Sequence, residues 1–308
     1  MRNVKMEKLS FPNRITVELT NACNVSCSFC NRQVIDMEIG YISDDLYYQI
    51  IDEASQHLPM KLVPFFRGES LMHPHVIDYI KYAKEKGVEP IQLASNALLL
   101  DDAMQDALIE SGIDFISFSL DTTDANVYSC SRKYGDLELS SRNVESLGRK
   151  CIERRKKGLS APVLQVSTIN LPEYMDNHQE FIDKWTQFVN VVRVYEQHDE
   201  HGGLVDPNVC KKLDFLDKRR PCRKVMTDMI IYYDGRLALC NYDWDEERPI
   251  GDLSKMTMQE AWNSAEYERI RNMHLSCEMD DSICSKCQHW KIDYLDGGFM
   301  GQSYKGVE

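Results

Sequence analysis

Six short apolar runs alternate with longer helical patterns through the first 195 residues, and this alternation constrains the fold more than any other feature. The runs lie near 14–20, 61–67, 90–95, 115–120, 163–169 and 189–195. Helix-like stretches fall near 43–57, 74–86, 101–111, 138–157 and 174–186. Gly87, Gly112 and Gly158 stand where helices are expected to end. Strands and helices in strict turn imply an α/β fold with a parallel sheet and right-handed crossovers. In such folds the chemistry gathers at the C-terminal ends of the strands, so the residues just after each run are the ones to inspect.

The first run, Ile15-Thr16-Val17-Glu18-Leu19-Thr20, leads into Cys23-Asn24-Val25-Ser26-Cys27-Ser28-Phe29-Cys30. Three thiolates on one short loop can hold three corners of a cubane [4Fe-4S] cluster and leave one iron open. An open metal position is a reactive one. The alternative reading is a structural zinc loop or three unrelated thiols. The chain has eleven cysteines, no apolar signal core at its N-terminus and no apolar run of membrane-spanning length. The cysteines therefore point to metal rather than disulfides, cytoplasm is the expected location and no membrane association is expected. A net charge of −13 argues against nucleic acid as a partner. The one basic cluster, from Arg149 to Gly158, reads as the solvated C-terminal end of a helix.

With these residues in view, the chain resembles the radical S-adenosylmethionine (SAM) superfamily. The resemblance implies a six-stranded partial (β/α)6 TIM-type barrel. It implies that Cys23, Cys27 and Cys30 ligate a [4Fe-4S] cluster whose open iron binds SAM, with Phe29 near the adenine. After the second run, Phe66-Arg67-Gly68-Glu69-Ser70 resembles the family's Gly-Gly-Glu-Pro motif, with Arg67 in place of the first glycine and Ser70 in place of the proline. Gly68 and Glu69 are thereby assigned to the SAM ammonium group. Ser95-Asn96 resembles the family's Thr-Asn-Gly segment, with Ala97 where glycine is usual. Ser119 and Asp121 resemble its Ser-x-Asp segment. These groups suit the ribose and carboxylate of SAM, and Arg132 suits the carboxylate as a guanidinium fork.

Beyond residue 210 the chain changes character. Met229-Ile230-Ile231-Tyr232-Tyr233-Asp234-Gly235 reads as a hairpin with an Asp-Gly turn, and a helix is expected around 257–264. Cys222, Cys240, Cys284 and Cys287 make a second set, with Cys277 left over. Spacing alone leaves zinc and iron–sulfur equally open. Behind a radical SAM core the set resembles the SPASM/twitch extension, in the short form seen in 2-deoxy-scyllo-inosamine dehydrogenase-type enzymes, which implies one auxiliary [4Fe-4S] cluster. The expected division is 1–205 for the barrel and 206–308 for a small cysteine-rich hairpin and helix domain.

The resemblance implies reductive cleavage of SAM and abstraction of a hydrogen atom from a small polar substrate such as a sugar, cyclitol or nucleotide sugar. Oxidation of a secondary alcohol is the favoured outcome, with flavodoxin or ferredoxin as electron donor. Cys210 and Cys277 are candidate hydrogen-atom donors for the alternative, an epimerase. Tyr195, Gln197, His198, Asp199 and His201 fall at the expected mouth of the site, with His198 a candidate base. Thirteen residues before Arg14 weigh against a ribosomal peptide substrate, which stays a further alternative, as does a non-enzymatic iron–sulfur or zinc scaffold.

Overall fold

The computed structural model describes residues 6–197, 216, 218–244, 249–279, 282–295 and 301–308. Its centre is a set of six parallel strands: β1 (Arg14–Val17), β2 (Lys61–Val63), β3 (Gln92–Ser95), β4 (Phe115–Ser119), β5 (Val163–Ile169) and β6 (Val191–Tyr195). They follow one another in chain order. β1 pairs with β2 through Ile15↔Leu62, β3 with β4 through Leu93↔Ile116, β4 with β5 through Phe118↔Val166, and β5 with β6 through Ser167↔Arg193. β2 and β3 meet at one parallel bridge, Leu62↔Ile91. This is the expected partial (β/α)6 barrel.

The helices between the strands are α1 (Asp44–Ala54), α2 (Val76–Glu85), α3 (Asp102–Glu110), α4 (Ala125–Ser131), α5 (Leu137–Lys156) and α6 (His178–Trp185). Ser43, Asp101, Asp124 and Asp136 cap their N-termini, each side chain accepting a backbone N–H of the first turn. The basic cluster is the last turn of α5, as expected. There Arg154 donates to the Ser160 carbonyl at 2.9 Å, and Gly158 closes the turn at φ +70°. α4 was not anticipated; this short polar helix carries Cys130.

Period-two alternation decides which side of the barrel is wet. Ile15, Val17, Leu93, Ile116, Phe118, Leu164 and Val166 point outward and are buried under the helices, against Tyr47, Tyr79, Leu108, Leu147 and Trp185. The alternate positions of β3 to β6 are mostly polar and face the lumen.

β1 and β6, the first and last of the six, each have a further neighbour. β7 (Asp228–Ile231) runs parallel to β1 in the register Arg14↔Asp228, and β8 (Leu237–Ala238) turns back antiparallel on β7. This is the hairpin expected from sequence, with Gly235 at φ +90° in its turn. β9 (Gly301–Lys305) pairs antiparallel with β6. Two helices follow the hairpin, α7 (Met258–Trp262), opened by a Thr257–Glu260 capping box, and α8 (Ala265–Ser276). Among the described residues no helix is long and apolar enough to cross a membrane.

Candidate active site and cluster loops

The chain leaves β1 into a tightly tied loop. The Thr20 hydroxyl donates to the Gly40 carbonyl at 2.7 Å, and Asn21 bonds both the Glu38 carbonyl and the Gly40 N–H. Cys27 pairs across a two-residue antiparallel ladder with Arg132, and the Cys30 N–H donates to the Cys27 carbonyl at 3.1 Å. Cys23, Cys27 and Cys30 are free thiols, each half-buried. Burial raises the Cys23 and Cys27 pKa values, Cys27 to about 11, with Cys30 adding repulsion in both and Arg132 opposing in Cys27. Thiols held protonated by burial and by one another are groups that a bound cationic centre would deprotonate.

Gly68 lies against this loop. A Cβ at Gly68 would sit 2.3 Å from the Thr20 carbonyl oxygen and 2.5 Å from that of Ala22, so no other residue fits without a backbone shift. The next N–H, of Glu69, donates to the Ala22 carbonyl at 2.8 Å. Glu69 is buried and accepts the Asn96 N–H at 2.7 Å and the Leu71 N–H at 3.1 Å. Burial raises its pKa against those bonds. Asn96 in turn donates to the Asn24 side chain at 2.7 Å, and the Ser95 hydroxyl accepts the Ala97 N–H at 3.0 Å. Ala97 takes φ +65°, the conformation for which glycine is usual.

At the end of β4, Asp121 is buried at φ +62° and accepts the Arg132 Nε–H at 2.5 Å. Arg132 lies 5.5 Å from the Phe29 ring centroid. Burial opposes the arginine's charge, but Asp121 and Cys27 outweigh it and raise its pKa. One donor of the guanidinium is therefore already taken by Asp121. Phe29, Ser119, Asp121 and Arg132 all line one cavity of about 730 Å³ that fills the barrel lumen. Its walls carry Gln92, Ser117, Gln165 and Ser167 from the strands, with Tyr195 and Gln197 at the end of β6. Tyr242 and His289 enter from the C-terminal region and share a 2.6 Å hydrogen bond.

Arg67, the departure from a glycine, is fully buried and makes a two-bond fork to Glu18, both at 2.7 Å. It also donates to the Trp244 carbonyl at 3.1 Å and stacks 4.3 Å from the Tyr232 ring centroid. Glu18 accepts the Tyr233 N–H at 3.3 Å. Glu18 was not singled out from sequence. The available signal was a carboxylate inside an apolar run, one strand over from an unexpected arginine.

The second cysteine set gathers beside the hairpin. Cys240 and Cys284 are buried, and Cys222 and Cys287 are partly so. Burial pushes Cys222 up to about 12 and raises Cys240 and Cys287, with neighbouring cysteines adding repulsion at Cys222 and Cys240. The Tyr242 N–H donates to Cys240 Sγ and the His289 N–H to Cys287 Sγ, each at 3.3 Å, as suits thiolate ligands. Arg219 ties the Cys284 and Cys287 carbonyls together at 2.9 and 3.0 Å. Among the described residues no three His, Cys, Asp or Glu side chains converge tightly enough for a single metal ion. A second cavity of about 430 Å³ separates the two loops, bounded by Cys27 and Cys30 on one side and Asn241 and Trp244 on the other.

The spare cysteines are scattered. Cys151 is buried in α5, Cys130 is exposed, and Cys277 caps α8 at φ +60° with its thiol 3.6 Å from the His274 carbonyl. None of these three lines the lumen cavity. Cys210, His198, Asp199 and His201 lie outside the described residues.

A polar partial barrel with one three-thiol loop at its top and a four-thiol set beside it is an arrangement that suits iron–sulfur clusters. Family models agree: residues 17–159 match the radical SAM superfamily and residues 222–288 match the SPASM iron–sulfur cluster-binding domain. The chain belongs to the radical SAM superfamily and carries a SPASM domain. Such a chain carries a [4Fe-4S] cluster that binds SAM and auxiliary iron–sulfur chemistry in the SPASM part. It is 33% identical to a tungsten-containing aldehyde ferredoxin oxidoreductase cofactor-modifying protein of Pyrococcus furiosus, over 34% of this chain and 30% of that one. It is 28% identical to a probable GTP 3′,8-cyclase of Methanococcus maripaludis strain S2, over 66% and 68% of the two chains. The first of these matches thus spans under a third of the relative's length. By fold it is similar to BtrN in complex with AdoMet and 2-DOIA (TM-score 0.58, 16% identity, 87% of this chain and 88% of that one). It is also similar to Streptococcus suis SuiB bound to precursor peptide SuiA (TM-score 0.69, 12% identity, 96% and 75%).

Proposed function

We propose that this radical SAM enzyme oxidises a secondary alcohol on a small polar substrate held in the barrel lumen. The observation that carries the reading is the 730 Å³ cavity of mixed polar and apolar lining, which touches Phe29, Asp121 and Arg132 on one side and Tyr242 and His289, each two residues beyond a second-set cysteine, on the other. Cys23, Cys27 and Cys30 would hold the SAM-binding cluster, and Cys222, Cys240, Cys284 and Cys287 the auxiliary one. When bound, the first would supply the electron that cleaves SAM for hydrogen abstraction, and the second would offer a place for the electron that leaves with oxidation. Gly68 and Glu69 would receive the SAM ammonium group. Ser95, Asn96, Ser119 and Asp121 would orient its ribose and carboxylate, with Arg132 pinned by Asp121 and Phe29 beside the adenine. The lumen hydroxyls and amides would fix the substrate carbon toward that end of the barrel. His198, by its place three residues after Tyr195, would take the hydroxyl proton.

The BtrN likeness covers nearly all of both chains, and that structure holds AdoMet with the small molecule 2-DOIA. A lumen of this size suits such a molecule better than a peptide. We assign 1–205 to the barrel and 206–308 to the auxiliary domain, place the enzyme in the cytoplasm and name flavodoxin or ferredoxin as its reductant. The test is anaerobic turnover with candidate polyols in deuterated solvent. A carbonyl product is expected; a product that keeps its alcohol and carries solvent deuterium at the abstracted carbon identifies an epimerase instead.

A further inference from the structure

The lumen has more cationic character than a chain of net charge −13 would lead one to expect. Three arginines line it: Arg14, Arg132 and Arg193. Arg132 is answered by Asp121. The other lining acid among the described residues, Glu196, accepts from the Asn170 side chain at 3.0 Å. Arg14 and Arg193 stand on β1 and β6, the two strands that bound the open side of the barrel. Between them His289 and Ile292 enter from the C-terminal region. Arg14 also lines an adjoining cavity of about 380 Å³ together with Lys61, Arg223 and Lys224.

The acids in that cavity offset this charge only in part. Asp228 approaches Arg14 no closer than 3.9 Å, and one of its oxygens already accepts the Thr227 hydroxyl at 2.7 Å. Asp293 accepts the Arg223 N–H at 2.8 Å. Arg14 Nε is shielded from solvent and has no hydrogen-bond acceptor. Gln165 is 2% exposed. One end of its amide meets the Ser117 hydroxyl at 2.8 Å and the Tyr195 hydroxyl at 3.3 Å, while Oε1 has no partner. A buried donor without an acceptor and a buried amide end without a partner are each costly, and one ligand can satisfy both.

We infer that the substrate carries an anionic oxygen group, carboxylate or phosphate, seated between Arg14 and Arg193, and a hydroxyl on the same molecule that meets the free end of the Gln165 amide. A guanidinium matches either anion by geometry as well as charge. The inference rests on the lumen being the substrate site, as proposed above, and narrows the substrate to an acidic or phosphorylated polyol.

The test is equilibrium binding of ribose 5-phosphate, gluconate and ribose to the reconstituted, SAM-loaded enzyme. At least one of the two anions should bind about tenfold or more tighter than ribose, and more weakly at high salt. Preference for ribose 5-phosphate marks a phosphate seat, and preference for gluconate a carboxylate seat. Arg14→Gln and Arg193→Gln should each weaken the anion by about tenfold while keeping ribose binding, iron content and SAM affinity. Ribose binding as tightly as both anions, binding of neither anion, or full anion affinity in the variants overturns the inference. Should a variant lose iron, the comparison of the three probes on the unaltered enzyme still decides. An anion that binds here but gives no carbonyl product counts against oxidation and leaves the seat standing. Carbonyl formed from an uncharged substrate, with both variants fully active, does the reverse.

Discussion

At the scale of single residues the clearest departure from the family pattern is also the most firmly explained. Arg67 occupies a glycine position, yet its charge is met by Glu18 and its plane by Tyr232. Its sequence neighbours are Gly68 and Glu69, so the pair fixes the backbone proposed to receive SAM. It also grips the hairpin that leads to Cys240 through Trp244 and Tyr233. Removing one partner strands a charge in a fully buried site, and Arg67→Ala or Glu18→Ala should cost about 3–5 kcal/mol. Denaturant midpoints measured on the reconstituted protein will check this; midpoints unchanged in both variants would show the fork to be idle. Glu69→Ala and Asp121→Ala should instead weaken SAM binding while iron content stays whole. Unchanged SAM affinity in both would remove the assignment of these strand-end residues.

At the scale of elements, the six strands and most barrel helices were legible because each is either an apolar run or a long periodic stretch with a capping residue before it and often a glycine after it. Ser95, Asn96, Ser119 and Asp121 were legible for the same reason, since strand ends follow from strand positions. What escaped notice lacks periodicity. α4 is a short polar stretch, Ala-Asn-Val-Tyr-Ser-Cys-Ser, held by the Asp124 cap rather than by an apolar face. β9 reads Gly-Gln-Ser-Tyr-Lys and is almost wholly exposed, so nothing in its composition marks a strand. Its role is to occupy the open edge of β6, where it pairs from Gly301↔Tyr195 to Lys305↔Val191 and continues with the Gly306 N–H on the Asn190 carbonyl. Deleting 301–308 should therefore leave SAM affinity intact but free the β6 edge for pairing with other chains. Light scattering on warming should rise earlier than in the full chain, and identical curves would show that β9 protects nothing.

At the scale of the whole molecule, the lumen cavity is lined by residues next to each thiol set, Phe29 beside the first and Tyr242 and His289 beside the second, and the Arg67–Glu18 fork and the β1–β7 pairing join the parts that carry them. The sets are held by separate loops, so they should fill independently. Anaerobic reconstitution should give about eight irons per chain, falling to about four when Cys23, Cys27 and Cys30 are all alanine. The same separation allows the proposed oxidation to be tested. Cys284 is buried on the auxiliary side, away from the residues assigned to SAM. Cys284→Ala should therefore keep about four irons and SAM affinity while formation of the carbonyl product falls by roughly a hundredfold or more, because the abstracted substrate has no outlet for its second electron. Cys277→Ala, altering a thiol that caps α8 and does not line the lumen, should keep full product formation. The opposite pattern, in which Cys284→Ala turns over normally and Cys277→Ala abstracts hydrogen without releasing product, would mean that the thiol and not the four-cysteine set completes the reaction.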